Sequence, residues 1–361
     1  MTRRFPILLT LLVLLPRPGG AASHSFPTLQ LPVSVRGAGM GSAPDGLEPN
    51  AFAARTNPAA LGFVRGLNAG AMHSHPLPGI APKVRLDFES AVVGTETRIG
   101  GIPLGLAVGM NRAYLDYANV PPRFQSWEFQ SWESTTGGTV ACSWGGVIGA
   151  GLGVKRWQIH YLDFEGPSGG AETGEATVFD YGLLARLPVV ASGTADSPAP
   201  WTLFVDAALS WRNRSRDVPV HWDNRVRDFN LPAVRREGLG LDLELLPAAG
   251  FLPPAERWPW RLFRNAHLVS VSAAVARETP LVPRNSVTMR GLEVRFLDSL
   301  SLRWGYVDDM RYDYSKTGDT FGWGLALGGL IGVDYARTPN YPGLEDVTRW
   351  GIRVQSPLET D

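Results

Sequence analysis

Side chains able to do chemistry are few and scattered in this 361-residue chain. The tightest pair is His73 and His75 in Met72-His73-Ser74-His75-Pro76. Two imidazoles at that spacing suit a metal, but no third ligand stands near them in sequence. The pair therefore reads as a solvated loop tip, and no metal site is expected. Asp308, Asp309 and Asp313 lack the regular spacing of a dedicated Ca²⁺ loop and read the same way. Trp211-Arg212-Asn213-Arg214-Ser215-Arg216 is a basic run. It suits either charge-assisted contacts to phosphates of lipopolysaccharide or an Arg cluster on a strand's inner face and rim. Cys142 is the single cysteine, so no intramolecular disulfide forms; it lies in an apolar stretch and reads as a small buried residue. The chain contains no G-x-S-x-G, no H-E-x-x-H, no P-loop and no Cys pair, so neither an enzyme nor a cofactor is expected. Lys plus Arg and Asp plus Glu both number 34, a balance that argues against a nucleic-acid partner.

The elements that must carry these residues are strands. Apolar and polar residues alternate with period two along most of the chain. Trp201, Leu203, Val205, Leu209 and Trp211 oppose Thr202, Asp206 and Ser210; Leu300, Leu302, Trp304 and Tyr306 oppose Ser301, Arg303 and Gly305. Fourteen such segments are expected, near 67–73, 84–98, 103–117, 133–144, 147–161, 176–190, 201–213, 234–246, 267–277, 286–297, 299–308, 319–328, 330–337 and 347–355. Their connections alternate. Gly100-Gly101, Gly145-Gly146, Leu297-Asp298-Ser299 and Gly328-Gly329 are short, whereas 112–132, 163–174, 214–232, 309–318 and 337–346 are long and polar. Two links on the short-turn rim break the rule: Val190–Pro200, and the Pro- and Trp-rich Pro247–Asn265, which reads as an ordered loop packed on that rim. An even strand count with short turns on one rim and long loops on the other predicts an all-β fold, a transmembrane antiparallel β-barrel of about 14 strands.

Within that barrel, Trp201, Trp211, Trp304, Trp323 and Trp350 fall on or at the ends of apolar faces, where interface aromatics belong. A charge facing lipid costs about 2–4 kcal/mol at the bilayer midplane, so charges of opposite parity are assigned to the lumen. They are Asp180, Arg186, Asp206, Asp242, Glu244, Glu293, Arg295, Arg303, Asp334 and Arg353, together with Arg85, Asp87 and Glu89. Such a set either lines a polar channel or pairs within a closed interior.

The N-terminus reads as a cleaved signal peptide over 1–22, with Arg3 and Arg4, the apolar run Pro6–Leu15, and Gly20-Ala21-Ala22 at the cleavage point. Residues 23–66 then form a plug or strap, 67–355 the barrel, and 356–361 a polar tail. The plug segment is rich in Gly and Ala and too small to form its own core. Its phrases Gly39-Met40-Gly41 and Asn57-Pro58-Ala59 resemble the opening of the PorV/PorQ family within the FadL-like outer-membrane barrels. Gly151–Lys155, Phe179–Leu184, Gly291-Leu292-Glu293, Leu302–Tyr306 and Gly322–Tyr335 extend the resemblance. The chain departs from it at Pro44-Asp45-Gly46 and in ending on a polar tail instead of an aromatic residue.

The resemblance implies export to the outer membrane and contact with its lipid. It also implies a role in protein secretion or surface attachment through secretion-machinery or cargo proteins. The alternatives are a FadL-type passive channel for a hydrophobic small-molecule ligand, with 36–61 as its plug, and a structural barrel without transport. The chain's length and the lack of a long apolar surface insert favour the PorV-like reading.

Overall fold

A computed structural model describes residues 27–79, 81–117, 131–162, 171–191, 201–215, 218–222, 225–229, 231–247, 266–281, 285–309, 316–340 and 343–356. The signal peptide, the links 192–200 and 248–265, Asp313, Arg216 and the tail beyond Ser356 lie outside them.

The described strands are β1 (Gly66–Ser74), β2 (Arg85–Ile99), β3 (Ile102–Asp116), β4 (Trp132–Trp144), β5 (Ile148–Leu162), β6 (Ala171–Ala191), β7 (Trp201–Arg214), β8 (Val218–Trp222), β9 (Arg225–Phe229), β10 (Val234–Pro247), β11 (His267–Pro280), β12 (Val287–Phe296), β13 (Leu300–Asp309), β14 (Lys316–Leu327), β15 (Ile331–Thr338) and β16 (Val347–Ser356). Fourteen of them form a closed antiparallel barrel, in which each strand pairs with its sequence neighbour except that β7 pairs with β10. The seam joins the first strand to the last, from Leu67 opposite Ser356 to Ser74 opposite Arg349. Closure leaves no strand edge in the wall, the condition for backbone in lipid.

The remaining two strands form a hairpin, β8–β9, that pairs with the outer end of β6 near Glu172–Gly174. The sequence reading places a loop there. Five-residue strands inside a charged connection show too little alternation to be seen.

The short connections turn tightly. Gly100-Gly101, Gly145-Gly146, Gly328-Gly329 and the non-glycine pair Leu297-Asp298 all hold consecutive positive φ values, at 50° and 49° for the last pair. That is the conformation of two-residue hairpins whose twist matches the strands. On the outer wall, Val108, Met110, Val140, Ile148, Leu152, Leu239, Leu241, Val275, Leu325 and Ile352 are all exposed. They make an apolar belt around the barrel's waist.

Four sequence expectations are corrected. Arg85 and Glu89 are exposed, and Asp87 is 40 % exposed and meets the exposed His73, so this trio faces outward. Leu86 and Phe88 point inward instead and pack with Val33, Val35 and Phe52. At this end the lumen is filled with apolar plug, so strand polarity is inverted there. Cys142 is exposed on the outer wall, because in an apolar belt a small apolar residue need not be buried. His73 lies on β1 and not in a loop. Asp308 and Asp309 lie on β13 and not in a loop.

Residues 27–65 run inside the barrel. They comprise α1 (Pro27–Gln30), α2 (Val35–Gly39), α3 (Ala53–Thr56) and a 3₁₀ turn (Pro58–Phe63). The segment starts at the long-loop end, where Leu29 packs with Trp157, Ile159 and Val178. It descends to the short-turn end, where Gly62 lies against Cys142 and Ser143. It therefore runs the height of the lumen.

Candidate functional site

The plug is seated by two kinds of contact: close backbone approach to wall glycines and buried ion pairs. Ser34 opens α2 by accepting a hydrogen bond from the Gly37 amide at 2.9 Å. Beyond that helix, Gly39, Met40 and Gly41 press on the wall. Gly41 has φ +65°, and a Cβ there would lie 2.7 Å from the Tyr306 carbonyl oxygen. Met40 is fully buried, and a Cβ on wall residue Gly305 would come within 2.2 Å of its carbonyl carbon.

Asn57 is the second anchor and is also fully buried. Its Oδ1 accepts from the Ala59 amide at 3.1 Å, capping the 3₁₀ turn that Pro58 begins. Its Nδ2 donates to the carbonyls of Gly46 at 2.7 Å and Leu183 at 3.3 Å. One side chain thus ties the turn, an earlier part of the plug and the wall together. The wall gives way for it at Gly182, where a Cβ would sit 1.8 Å from Asn57 Oδ1.

Below the middle of the plug lies an ion-paired network. Arg36 on α2 contacts Glu293 through Nε at 2.9 Å and Glu48 through Nη1 at 3.0 Å. Glu293 also accepts from Arg303 Nε at 2.7 Å and Arg295 Nη2 at 3.3 Å. Arg303 continues to Asp334 at 2.7 Å, and Asp334 to Arg353 at 3.1 Å. Across the lumen, Arg186 lies 3.8 Å from Asp206 and 3.5 Å from Asp242, with its guanidinium over the Phe204 ring. Glu244 lies 3.5 Å from His267. Asp180 sits higher, 2.7 Å from buried Lys155, and accepts from the Asn213 amide. Apart from Asp180 and Glu244, whose partners are Lys155 and His267, the sequence-assigned charges on β6, β7, β10, β12, β13, β15 and β16 thus pair with one another inside the barrel, with Arg36 as the plug's contribution.

Burial acts on the plug's own ionisable groups. It pushes the Glu48 carboxyl up to about 7 against the pull of Arg36. It raises Asp45 against the pull of Arg236, and lowers the Arg55 guanidinium to about 10.

Above the network, between the plug and the long-loop end, is a cavity of about 500 Å³. Its lining includes the apolar Leu31, Val33, Val84, Leu115, Val287, Met289, Val307 and Val347. Among them stand Arg55, Arg212, Arg236, Arg349 and Lys316 with Asp45, Glu278 and Asp309. Arg212 and Arg236 share Glu278. Arg55 donates to Thr135 Oγ1 at 3.0 Å and Arg349 to Thr338 Oγ1. Among the described residues neither has a carboxylate at ion-pair distance, and the Arg55 Nη2 and Arg349 Nε atoms are buried without a hydrogen-bond partner. Such a space can hold an apolar molecule and offer charge to an acidic end. Of these cations the sequence singles out only Arg212, in the basic run. Inward parity on β10 and β16 was the available signal for Arg236 and Arg349, and only the fold brings them to α3.

Of the sequence-assigned interface aromatics, Trp304 and Trp350 are exposed on the outer wall. Trp323, Tyr335 and Trp350 form one cluster, with Trp323 5.8 Å from Tyr335 and Trp350 4.8 Å from Tyr335 between ring centroids. Trp304 meets Phe321 edge-on beside them. Trp201 and Trp211 occupy the two ends of β7, both half-buried.

No protein-family model matches the sequence, and no curated protein matches it. Solved structures of similar shape include the Ralstonia pickettii toluene transporter TbuX, at 12 % identity and a TM-score of 0.47, covering 90 % of this chain and 98 % of that one. A Pseudomonas aeruginosa FadL homologue aligns at 12 % identity and a TM-score of 0.41 over 90 % of this chain and 99 % of its own. The translocator domain of the autotransporter NalP from Neisseria meningitidis aligns at 12 % identity and a TM-score of 0.41 over 81 % and 88 %.

Proposed function

We propose that this chain is an outer-membrane barrel that takes up hydrophobic small molecules by way of the cavity above its plug. The observation that carries the reading is that cavity of about 500 Å³, lined by apolar and cationic side chains at the long-loop end of the lumen. The apolar outer belt and the aromatic clusters support a membrane setting, since both would be costly in water and are the surface that lipid requires. Arg55 and Arg349 favour a ligand with an acidic end, because each has a buried donor left over. The plug then separates binding from passage: a ligand reaches the cavity while residues 35–61 keep the lumen shut. A role through secretion partners draws its support from the sequence resemblance alone.

The test is ligand binding to purified protein in detergent, with a fluorescent fatty acid and a neutral apolar dye as probes. Uptake predicts saturable binding that Met289→Trp reduces at least tenfold by filling the cavity. Equal binding by the filled variant, or none by either protein, sinks the channel reading and leaves a structural or partner-binding barrel.

A further inference from the structure

His73 and His75 stand on the outer wall at the end of β1, away from the cavity. Alternation along the strand puts both on one face, with buried Ser74 pointing the other way between them. Their rings approach through one atom each: His73 Nε2 lies 3.2 Å from His75 Nε2. The other nitrogen of each ring is engaged. His73 Nδ1 lies 2.7 Å from Asp87 Oδ1, and His75 Nδ1 lies 3.2 Å from the Val84 carbonyl oxygen. A carboxylate and a carbonyl can only accept, so both rings carry their hydrogen on Nδ1. Both Nε2 atoms then present bare lone pairs to each other at contact distance. That arrangement is repulsive unless a shared proton or a metal ion lies between them.

The distances suit a metal ion. Imidazole nitrogens about 2.0–2.1 Å from one tetrahedral metal ion lie roughly 3.2–3.4 Å apart. The same geometry separates the ring centres by about 5 Å, and here they are 4.9 Å apart with planes at 85°. The outer shell also has the form metal-binding histidines take, each ring held by a carboxylate or carbonyl on its far nitrogen.

We propose that His73 and His75 bind one divalent transition-metal ion through their Nε2 atoms, with Asp87 and the Val84 carbonyl orienting the rings. Imidazole ligands suit Cu²⁺, Ni²⁺ and Zn²⁺ over Ca²⁺ and Mg²⁺. No group of three or more His, Cys, Asp or Glu is placed to hold a metal among the described residues, so solvent completes the coordination shell. Asp87 also lies 3.9 Å from Arg85, which keeps that carboxylate on the far side of the ring. Pro76 and Leu77, directly after His75, line the cavity.

The test is titration of untagged, detergent-purified protein with Cu²⁺, followed by electron paramagnetic resonance, with Zn²⁺ as competitor. The expected result is one equivalent of Cu²⁺ with nitrogen hyperfine structure from two imidazoles, displaced by excess Zn²⁺. His75→Gln should weaken binding at least tenfold and remove one nitrogen from the spectrum. Asp87→Asn should weaken it about tenfold, since outer partners of ligating histidines carry that order of effect. His160→Gln, outside the site, should change neither. Both His73 and His75 are exposed, so the variants test the site and not the fold. Absence of stoichiometric binding, leaving a proton as the rings' only shared occupant, overturns the proposal. So does binding that survives in the double variant His73→Gln/His75→Gln.

Discussion

Single residues on both sides of the plug interface carry more than their size suggests. Gly182 leaves the space that Asn57 occupies, so Gly182→Ala drives a methyl into a fully buried amide. The expected loss is about 1–3 kcal/mol, the range for overpacking, read as a lower denaturant midpoint in detergent. Glu293 is the acceptor on which three arginines converge, among them fully buried Arg303. Glu293→Gln leaves those cations short of a counter-charge and should cost about 3–5 kcal/mol, the range for breaking a buried pair, by the same measurement.

Glu48 supplies a pH dependence. Its carboxyl has an ordinary value of 4.5 and is raised to about 7 in the seated plug, first by burial. The seated state therefore favours the neutral acid. That advantage is fully present below pH 4.5 and is lost as pH rises through about 7. Hydrogen exchange of the plug amides, corrected for intrinsic rates, should show stronger protection at pH 5 than at pH 8. Glu48→Gln should flatten most of the difference and leave the part due to Asp45, which shifts the same way. Equal slopes in both proteins would remove Glu48 from that role.

At the scale of elements, the plug and the strands divide the work, and they differ in how plainly the sequence announces them. The barrel strands are legible because an apolar belt outside and a packed lumen inside impose strict alternation, as in Leu300-Ser301-Leu302-Arg303-Trp304. Alternation misleads where its premise fails. Arg85, Asp87 and Glu89 share the parity of outward positions on a strand end that packs apolar side chains against the plug, so assigning charge to the lumen reverses the answer. The plug is legible as a segment too small to fold alone, but its seat is not, because Arg36 meets Glu293 across 257 residues. The cavity is still less visible, being assembled from ends of several strands and three parts of the plug. Deleting residues 35–61, which occupy the lumen, should raise small-solute efflux from proteoliposomes. Unchanged efflux would mean that the ion-paired wall residues close the lumen unaided.

For the molecule as a whole, Cys142 offers a native depth marker, as the chain's single cysteine lying exposed on the outer wall between Val140 and Trp144. In proteoliposomes it should react with an apolar maleimide and resist a charged one, and both should label it once the lipid is replaced by urea. Labelling by the charged reagent in intact vesicles would contradict a bilayer around the belt. The path of residues 27–65 has a further consequence, for the order of assembly. The segment enters β1 at the short-turn end while its earlier residues lie at the other end, against Trp157 and Glu133. A wall that closed first would have to draw those residues up its whole length, past the charges of Arg303 and Asp334. A sheet that curls around them meets no such barrier. The ladder from Leu67–Ser356 to Ser74–Arg349 is then the final contact of the fold, and the chain's first residues act as the mandrel on which its last ones close.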